Sequence, residues 1–391
     1  MSDSFHSIVD PRPSWLTRNW IYAPLLLCVL IMIPRIVSPQ FGLLDDGRSL
    51  TISQGIIHGK WDLSWDVIAG RARPLYWASF AFWYFLANGH AFWYFLGNLI
   101  VFCANTFLLV ALVKNLSGSN LAALLTGLVF TLSTPLIENV YTLSKGENLQ
   151  VLLLLAAIWL VLLAVKSAKG IRYWILISIS SLLILAACFT KENSLIILPI
   201  SILWWVIAFI GRWRRISSAA FVERITRRIA FSSLVGGVLF YFGRTLMLSS
   251  RILGVGQSSE FSFSPSQLMN SAVRWGGWML RDYLWLVPIA LIALVVCLAR
   301  KHWPRTGLWW LALIWMTFWL GLYLPWHLAV GYYLLPFAAG AAVLSGILLA
   351  EIVDFFNQIS RFLKGASVTV LLVAAILLLL TQANNYTDAS I

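Results

Sequence analysis

Apolar runs of membrane-spanning length recur along this chain, and they fix its fold class before any motif is considered. A helix crosses a bilayer with about 20 consecutive apolar residues. Runs near that length stand at 20–37, 91–113, 121–137, 149–165, 173–189, 194–210, 229–247, 284–299, 308–324, 332–350 and 365–381. Between them lie short polar stretches. The runs lack the two-residue alternation of an outer-membrane barrel, so the spans are read as helices. The expectation is an all-α integral membrane protein, a polytopic bundle of about eleven transmembrane helices.

Composition excludes the soluble alternative. The 391 residues are 60% hydrophobic and only 11% charged, where soluble domains carry roughly 25% charged residues. The net charge of +13 could suggest nucleic acid, but no nucleic-acid-binding signature accompanies the basic residues. Instead they follow the positive-inside rule: about 17 of the 28 Lys and Arg residues fall in the loops assigned to the cytoplasm. Cys28, Cys103, Cys188 and Cys297 all lie within apolar runs without metal-ligand spacing, and are read as free and structural. The first apolar run is long and lacks a small-residue cleavage site, so it reads as a retained span.

This gives a cytoplasmic N-terminus at 1–19, a transmembrane domain at 20–381 and an extracytoplasmic tail at 382–391. The first extracytoplasmic loop, 38–74, is charged, and its 50–57 stretch has helical apolar spacing that suits a helix lying on the membrane. A helix at 75–86 is expected to be interfacial or re-entrant. The cytoplasmic segment 211–228 carries six arginines with Val222, Ile225 and Ile229 opposite them, the pattern of a basic amphipathic helix attracted to anionic lipid. A second extracytoplasmic segment covers 248–282.

Acidic residues run against the basic ones: about ten of the 15 fall outside. Carboxylates barely influence topology, so their placement needs another reason. The outside face collects Asp45, Asp46, Glu138, Glu147, Glu192 and Asp282, with Arg73, Lys145, Lys191, Arg244 and His327. Ionisable groups held at membrane depth are costly and usually functional. Arg and Lys can clamp a phosphate, and a carboxylate can take a proton from an attacking hydroxyl. A lipid-linked phosphosugar at a membrane surface needs both. Structural readings stand beside each group. Asp45 and Asp46 could cap the following helix, Lys191 and Glu192 could tie two spans together, and Arg244 could snorkel. No His, Cys or Asp spacing marks a strong metal site, although an acidic pair could hold a hard divalent ion such as Mg or Mn.

Several motifs resemble those of the multi-spanning GT-C glycosyltransferases, especially the protein O-mannosyltransferase-like group and its transmembrane tetratricopeptide relatives. DDGRSLTISQGIIHGKW at 45–61 looks like their acidic first-loop motif, and ARPLYW at 72–77 like their approach to the second span. Asn98 sits where the family often has an Asn. TPLIENVYTLSKGE at 134–147 resembles their third motif in Pro135, Glu138, Val140, Lys145 and Glu147, with Thr134 in place of the usual His. CFTKENSLIILP at 188–199 matches in Lys191 and Glu192, and YFGRTLML at 241–248 in Arg244. HLAVGYYLLP at 327–336 is a looser match, because Val330 and Gly331 stand where Glu and Arg would be. The resemblance covers roughly the first 250 residues and includes no tetratricopeptide array.

The resemblance implies transfer of a monosaccharide from a polyprenyl- or dolichyl-phosphate donor to a glycan, lipid or protein acceptor on the extracytoplasmic face, typically with inversion. Under it, Asp45 is the candidate base and Asp46 its neighbour in catalysis. Arg73, Lys145, Lys191 and Arg244 are candidates for the donor phosphate, and Glu138, Glu147, Glu192 and His327 for orienting the acceptor or base. The enclosing membrane is expected to be a bacterial cell membrane, or the ER membrane of a eukaryote. Three alternatives remain open: a membrane transporter, whose charges would lie near the bilayer midplane, another enzyme acting on lipid-linked glycans, such as a polymerase or ligase, and a non-catalytic protein of GT-C fold.

Overall fold

The computed structural model describes residues 21, 23–42, 45–60, 66, 71–167, 170–213, 219–248, 262–300, 307–326 and 328–359. Among these, helices dominate. They are α1 (Ala23–Val37), α2 (Asp45–Ile57), α3 (Pro74–Ala87), α4 (Ala91–Ser117), α5 (Asn120–Thr131), α6 (Thr134–Tyr141), α7 (Glu147–Lys166) and α8 (Ile171–Thr190). After them come α9 (Ile197–Trp213), α10 (Ala219–Leu248), α11 (Pro265–Tyr283), α12 (Leu286–Arg300), α13 (Leu308–Tyr323) and α14 (Leu335–Ile359). Short 3-10 turns at Glu192–Ile196 and Gly331–Leu334 lead into α9 and α14.

The chain is an integral membrane bundle. Six of these helical stretches are long and apolar enough to cross a membrane, and eight if each of two bent pairs forms one span. The apolar helices α1 and α13 are shorter. The expected span at 365–381 lies outside the described residues, as do the N-terminal segment at 1–19 and the tail at 382–391.

Local sequence explains where the helices break. Pro74 occupies the first turn of α3, where its missing N–H costs nothing, and α3 ends at Asn88 in the left-handed region, φ 43°. Ser119 accepts from the Ala122 N–H to cap α5, and Ser264 does the same for α11 through Gln267. The apolar run 121–137 is not one straight helix. It bends by 54° between α5 and α6, where Ser133 turns its hydroxyl onto the Phe130 carbonyl and Pro135 opens the next helix. The run at 284–299 likewise begins with a 70° bend from α11 into α12. The expected basic helix at 211–228 is divided: residues 211–213 end α9, whereas 219–228 belong to α10, which runs unbroken into the following span and buries Ile225 and Ile229.

Helix α14 is the hub. Its membrane window is 89% buried, and it packs on α5, α12 and α13. Small residues allow the approach: Ala338, Ala339, Ala341, Ala342 and Ser345 are all buried. Gly346 marks the tightest crossing, since a Cβ there would lie 2.2 Å from the Thr126 hydroxyl and 2.6 Å from the Ala122 carbonyl oxygen. Large apolar side chains such as Leu30, Phe85, Trp174, Phe242 and Leu298 point outward and are exposed, as lipid contact requires.

Candidate functional site

Most charged side chains of the described residues stand near helix ends or in the links between helices. One end of the bundle carries the sequence-predicted site. Glu147 opens α7, where a carboxylate is favoured by the helix N-terminus. Lys191 follows the last residue of α8, and its ammonium pairs with Glu147 Oε1. Glu147 is fully buried and Lys191 nearly so. Burial pushes the Lys191 ammonium below the ordinary lysine range, against the pull of Glu147.

Lys191 and Glu192 do not pair with each other. Glu192 turns away from its neighbour and accepts the Ala72 N–H at 2.6 Å, which fixes the end of the first loop to the α8–α9 turn. Next in sequence, Arg73 pairs with buried Asp66 at 2.8 Å, and the Trp77 indole N–H donates to the second Asp66 oxygen. Burial works against the charge on Arg73, but Asp66 and Glu192 outweigh it and hold the guanidinium above its ordinary pKa.

Two adjacent tyrosines link the lysines. The Lys145 ammonium stands 4.2 Å from the ring centre of Tyr332, and that of Lys191 4.5 Å from Tyr333. Desolvated cation–π contacts of this kind contribute about 2 kcal/mol. Behind them, Tyr333 stacks on Tyr323, the Tyr323 hydroxyl accepts from Asn193 at 2.9 Å, and Gln150 donates to both Asn193 and Ser194. Glu147 Oε2 is buried without a hydrogen-bond partner.

A second charged group lies on the other side of the Tyr332 turn. Arg281 pairs with Asp282 at 2.6 Å and reaches Glu138 at 3.3 Å, while its guanidinium stacks 4.1 Å over Trp278. Asn139, next to Glu138, donates to the Tyr332 carbonyl at 2.9 Å, so the two groups share one turn.

The structure therefore brings together Arg73, Lys145, Glu147, Lys191 and Glu192, with Glu138 adjoining. Arg244 is half-buried near the end of α10, where the neighbouring Gly243 packs on Phe189, two residues before Lys191. Asp46 is buried and accepts the Gly42 N–H at 2.7 Å, holding the chain just ahead of α2. Asp45 begins α2, but its side chain lies outside the described residues, and so does His327. Among the described residues, no group of three or more His, Cys, Asp or Glu side chains is placed to hold a metal ion.

The sequence-predicted site leaves out Asp66, Arg281, Asp282, Tyr332 and Tyr333. Arg281–Asp282 carried a signal, an ion pair closing the second outer segment. The tyrosine pair beside Gly331 carried none, since aromatic residues are common at membrane interfaces.

Two clefts flank the cations. One, spanning about 580 Å³, is lined by Tyr76, Trp83, Tyr94, Asn98 and Lys145. The other, about 590 Å³, is an open apolar groove between Pro74, Ala78, Leu182 and Phe189.

A helical membrane bundle with this arrangement has the fold of the GT-C glycosyltransferases. Solved structures sharing it include the oligosaccharyltransferase of Archaeoglobus fulgidus, tethered with an acceptor peptide (TM-score 0.59, 14% identity, 95% of this chain and 55% of that one). They also include ArnT from Cupriavidus metallidurans bound to undecaprenyl phosphate (TM-score 0.59, 14% identity, 91% of this chain and 63% of that one). The archaeal oligosaccharyltransferase AglB, again from Archaeoglobus fulgidus, in complex with an inhibitory peptide and a dolichol-phosphate, matches with a TM-score of 0.57 and 13% identity over 95% of this chain and 56% of that one. The chain thus spans a little over half the length of these structures. No family model and no curated protein matches the sequence.

Proposed function

We propose that this protein transfers a monosaccharide from a polyprenyl- or dolichyl-phosphate donor to an acceptor at the extracytoplasmic membrane surface. The observation that carries the reading is the convergence of Arg73, Lys145 and Lys191 at one end of a GT-C fold, beside an apolar groove. The groove between Pro74 and Phe189 suits an isoprenoid chain, and the cations beside it suit the phosphate. As the glycosidic bond breaks, negative charge grows on the departing lipid phosphate. Cations fixed in a water-poor site stabilise that charge most. Asp45 would take the proton of the attacking acceptor hydroxyl, with Asp46 and Glu138 orienting it. Any Mg or Mn ion would be held by oxygens of the acidic first loop and the donor phosphate, and adding either ion back to chelated membranes tests for it. The placement of most described charges near helix ends and in links favours an enzyme at the surface over a transporter with a midplane site.

The test is a transfer assay in membranes carrying wild type, Asp45→Asn or Lys191→Ala, offered radiolabelled polyprenyl-phosphate sugars. The expected outcome is loss of label from the lipid with wild type and a drop of two orders of magnitude or more with Asp45→Asn, in line with general-base catalysis worth about 10²–10⁴. Equal consumption by wild type and Asp45→Asn, at equal expression, would remove Asp45 from the chemistry. Failure of wild type with every donor would favour a non-catalytic role.

A further inference from the structure

At the end of the bundle opposite the cationic cluster, an apolar cleft enters between α4, α7, α9, α10, α13 and α14. Counted with the open solvent at its entrance, it encloses about 890 Å³. Leu116, Phe221 and Leu308 line it from near helix ends, and Trp204, Trp315 and Val343 from within their helices.

The interior presents almost no polar group. Trp204 and Trp315 are stacked at 5.9 Å, and each indole N–H is spent on a backbone carbonyl, of Leu311 and Pro336 respectively. Thr226 turns its hydroxyl onto the Val222 and Glu223 carbonyls. Gly340 lets Trp315 lie flat on α14, since a Cβ there would stand 2.8 Å from the ring. Water gains nothing in such a space, and an unfilled void forfeits dispersion contacts. An alkyl chain satisfies the walls.

Basic side chains stand beside the cleft on α10. Ile225 and Ile229 line the cleft, and Arg224 and Arg228 are their immediate neighbours on α10. Arg224 is exposed, and Arg228 lies 5.3 Å from the Tyr173 ring centre. The carboxylate in this group, buried Glu223, is engaged by Arg212 at 3.1 Å and Arg227 at 3.5 Å. Arg212 and Arg227 thus engage the one carboxylate of this stretch, and Arg224 and Arg228 stand beside the cleft-lining residues of α10.

We propose that this cleft holds an acyl chain of an anionic phospholipid, with the headgroup phosphate bound by Arg224 and Arg228. The site is separate from the transfer site and does not rest on the function proposed above. Basic side chains near a membrane surface favour anionic lipid by about 1 kcal/mol each, so two arginines predict a preference of roughly tenfold or more over a neutral lipid.

The full-length protein is placed in phosphatidylcholine vesicles with phosphatidylglycerol, and the brominated chain is carried by one lipid or the other. Bromine quenches nearby tryptophan, and the part of the quenching lost on Trp315→Phe reports the cleft. Brominated phosphatidylglycerol is expected to quench this component at about one tenth the lipid fraction that brominated phosphatidylcholine requires. Arg224→Gln combined with Arg228→Gln should abolish the difference, and Val343→Phe should block quenching by either lipid. The arginine variants alter the protein surface, so they keep the test valid if Val343→Phe fails to fold. Equal quenching by both lipids overturns the proposal. So does an unchanged preference in the double arginine variant, or displacement of the phosphatidylglycerol by polyprenyl phosphate at trace amounts.

Discussion

Gly331 lies directly against the carboxylate of Glu138: a Cβ at position 331 would stand 2.8 Å from Glu138 Oε2 and 3.0 Å from the Trp278 ring. This explains the departure from the Glu-Arg pair that the family resemblance leads one to expect at 330–331. A side chain there would have to displace the Glu138 carboxylate and the Trp278 ring, and the guanidinium in contact with Glu138 comes instead from Arg281 on α11. Gly331→Ala should therefore destabilise the protein by about 1–3 kcal/mol, the usual cost of overpacking. Glu138→Ala in the same chain should relieve part of that cost. Thermal unfolding in detergent, followed by tryptophan fluorescence, measures both, and additive losses would show that the contact does not matter.

Lys191 gives a pH test. Its ammonium titrates below the ordinary lysine range because burial disfavours the charge. If the charge binds donor phosphate, transfer should fall on the alkaline side at a lower pH than free lysine would allow. Lys191→Arg should move that limb upward, because arginine stays protonated. Unfolding would not mimic the effect. The folded pKa lies below the unfolded one, so in that window the unfolded chain binds more protons and this ionisation stabilises the fold as pH rises. Loss of transfer with an unchanged helical signal is the expected result, read from kcat/KM against pH.

Glu192 holds the first loop by a single hydrogen bond, from the Ala72 N–H. Glu192→Gln keeps a carbonyl acceptor and should cost little. Glu192→Ala should cost about 1–3 kcal/mol, the penalty for leaving a buried donor unpaired. It should also loosen the chain ahead of Arg73. Hydrogen exchange at the Ala72 amide distinguishes the two variants, and equal protection in both would dismiss the tether.

The sequence made much of the site legible because span ends are where a membrane protein can keep charges. Arg73, Lys145, Glu147, Lys191 and Glu192 all sit at such ends, and alternate helix directions bring them to one side. Their partners were not legible. Proximity in sequence suggests Lys191 with Glu192, but the first residue of an outgoing helix points its carboxylate at the incoming turn, which makes Glu147 the partner. The apolar run at 121–137 likewise gave the length of a span but not its 54° bend, since hydropathy does not register where a serine and a proline release the helical ladder. Arg281 reaches Glu138 across 143 positions, a contact only the packed bundle defines.

The tyrosine pair offers the most discriminating test of how the lysines are held. Tyr332 and Tyr333 lie with ring centres 4.5 Å apart, one under Lys145 and the other under Lys191. What each lysine needs from its tyrosine is the ring face, whose quadrupole attracts the ammonium. Tyr333→Phe should therefore keep most of the donor affinity, whereas Tyr333→Leu should raise KM for the lipid donor by roughly tenfold, given about 1–2 kcal/mol for a desolvated cation–π contact. Tyr332→Phe and Tyr332→Leu should differ in the same direction through Lys145. If phenylalanine and leucine raise KM alike, the hydroxyls matter and not the ring faces.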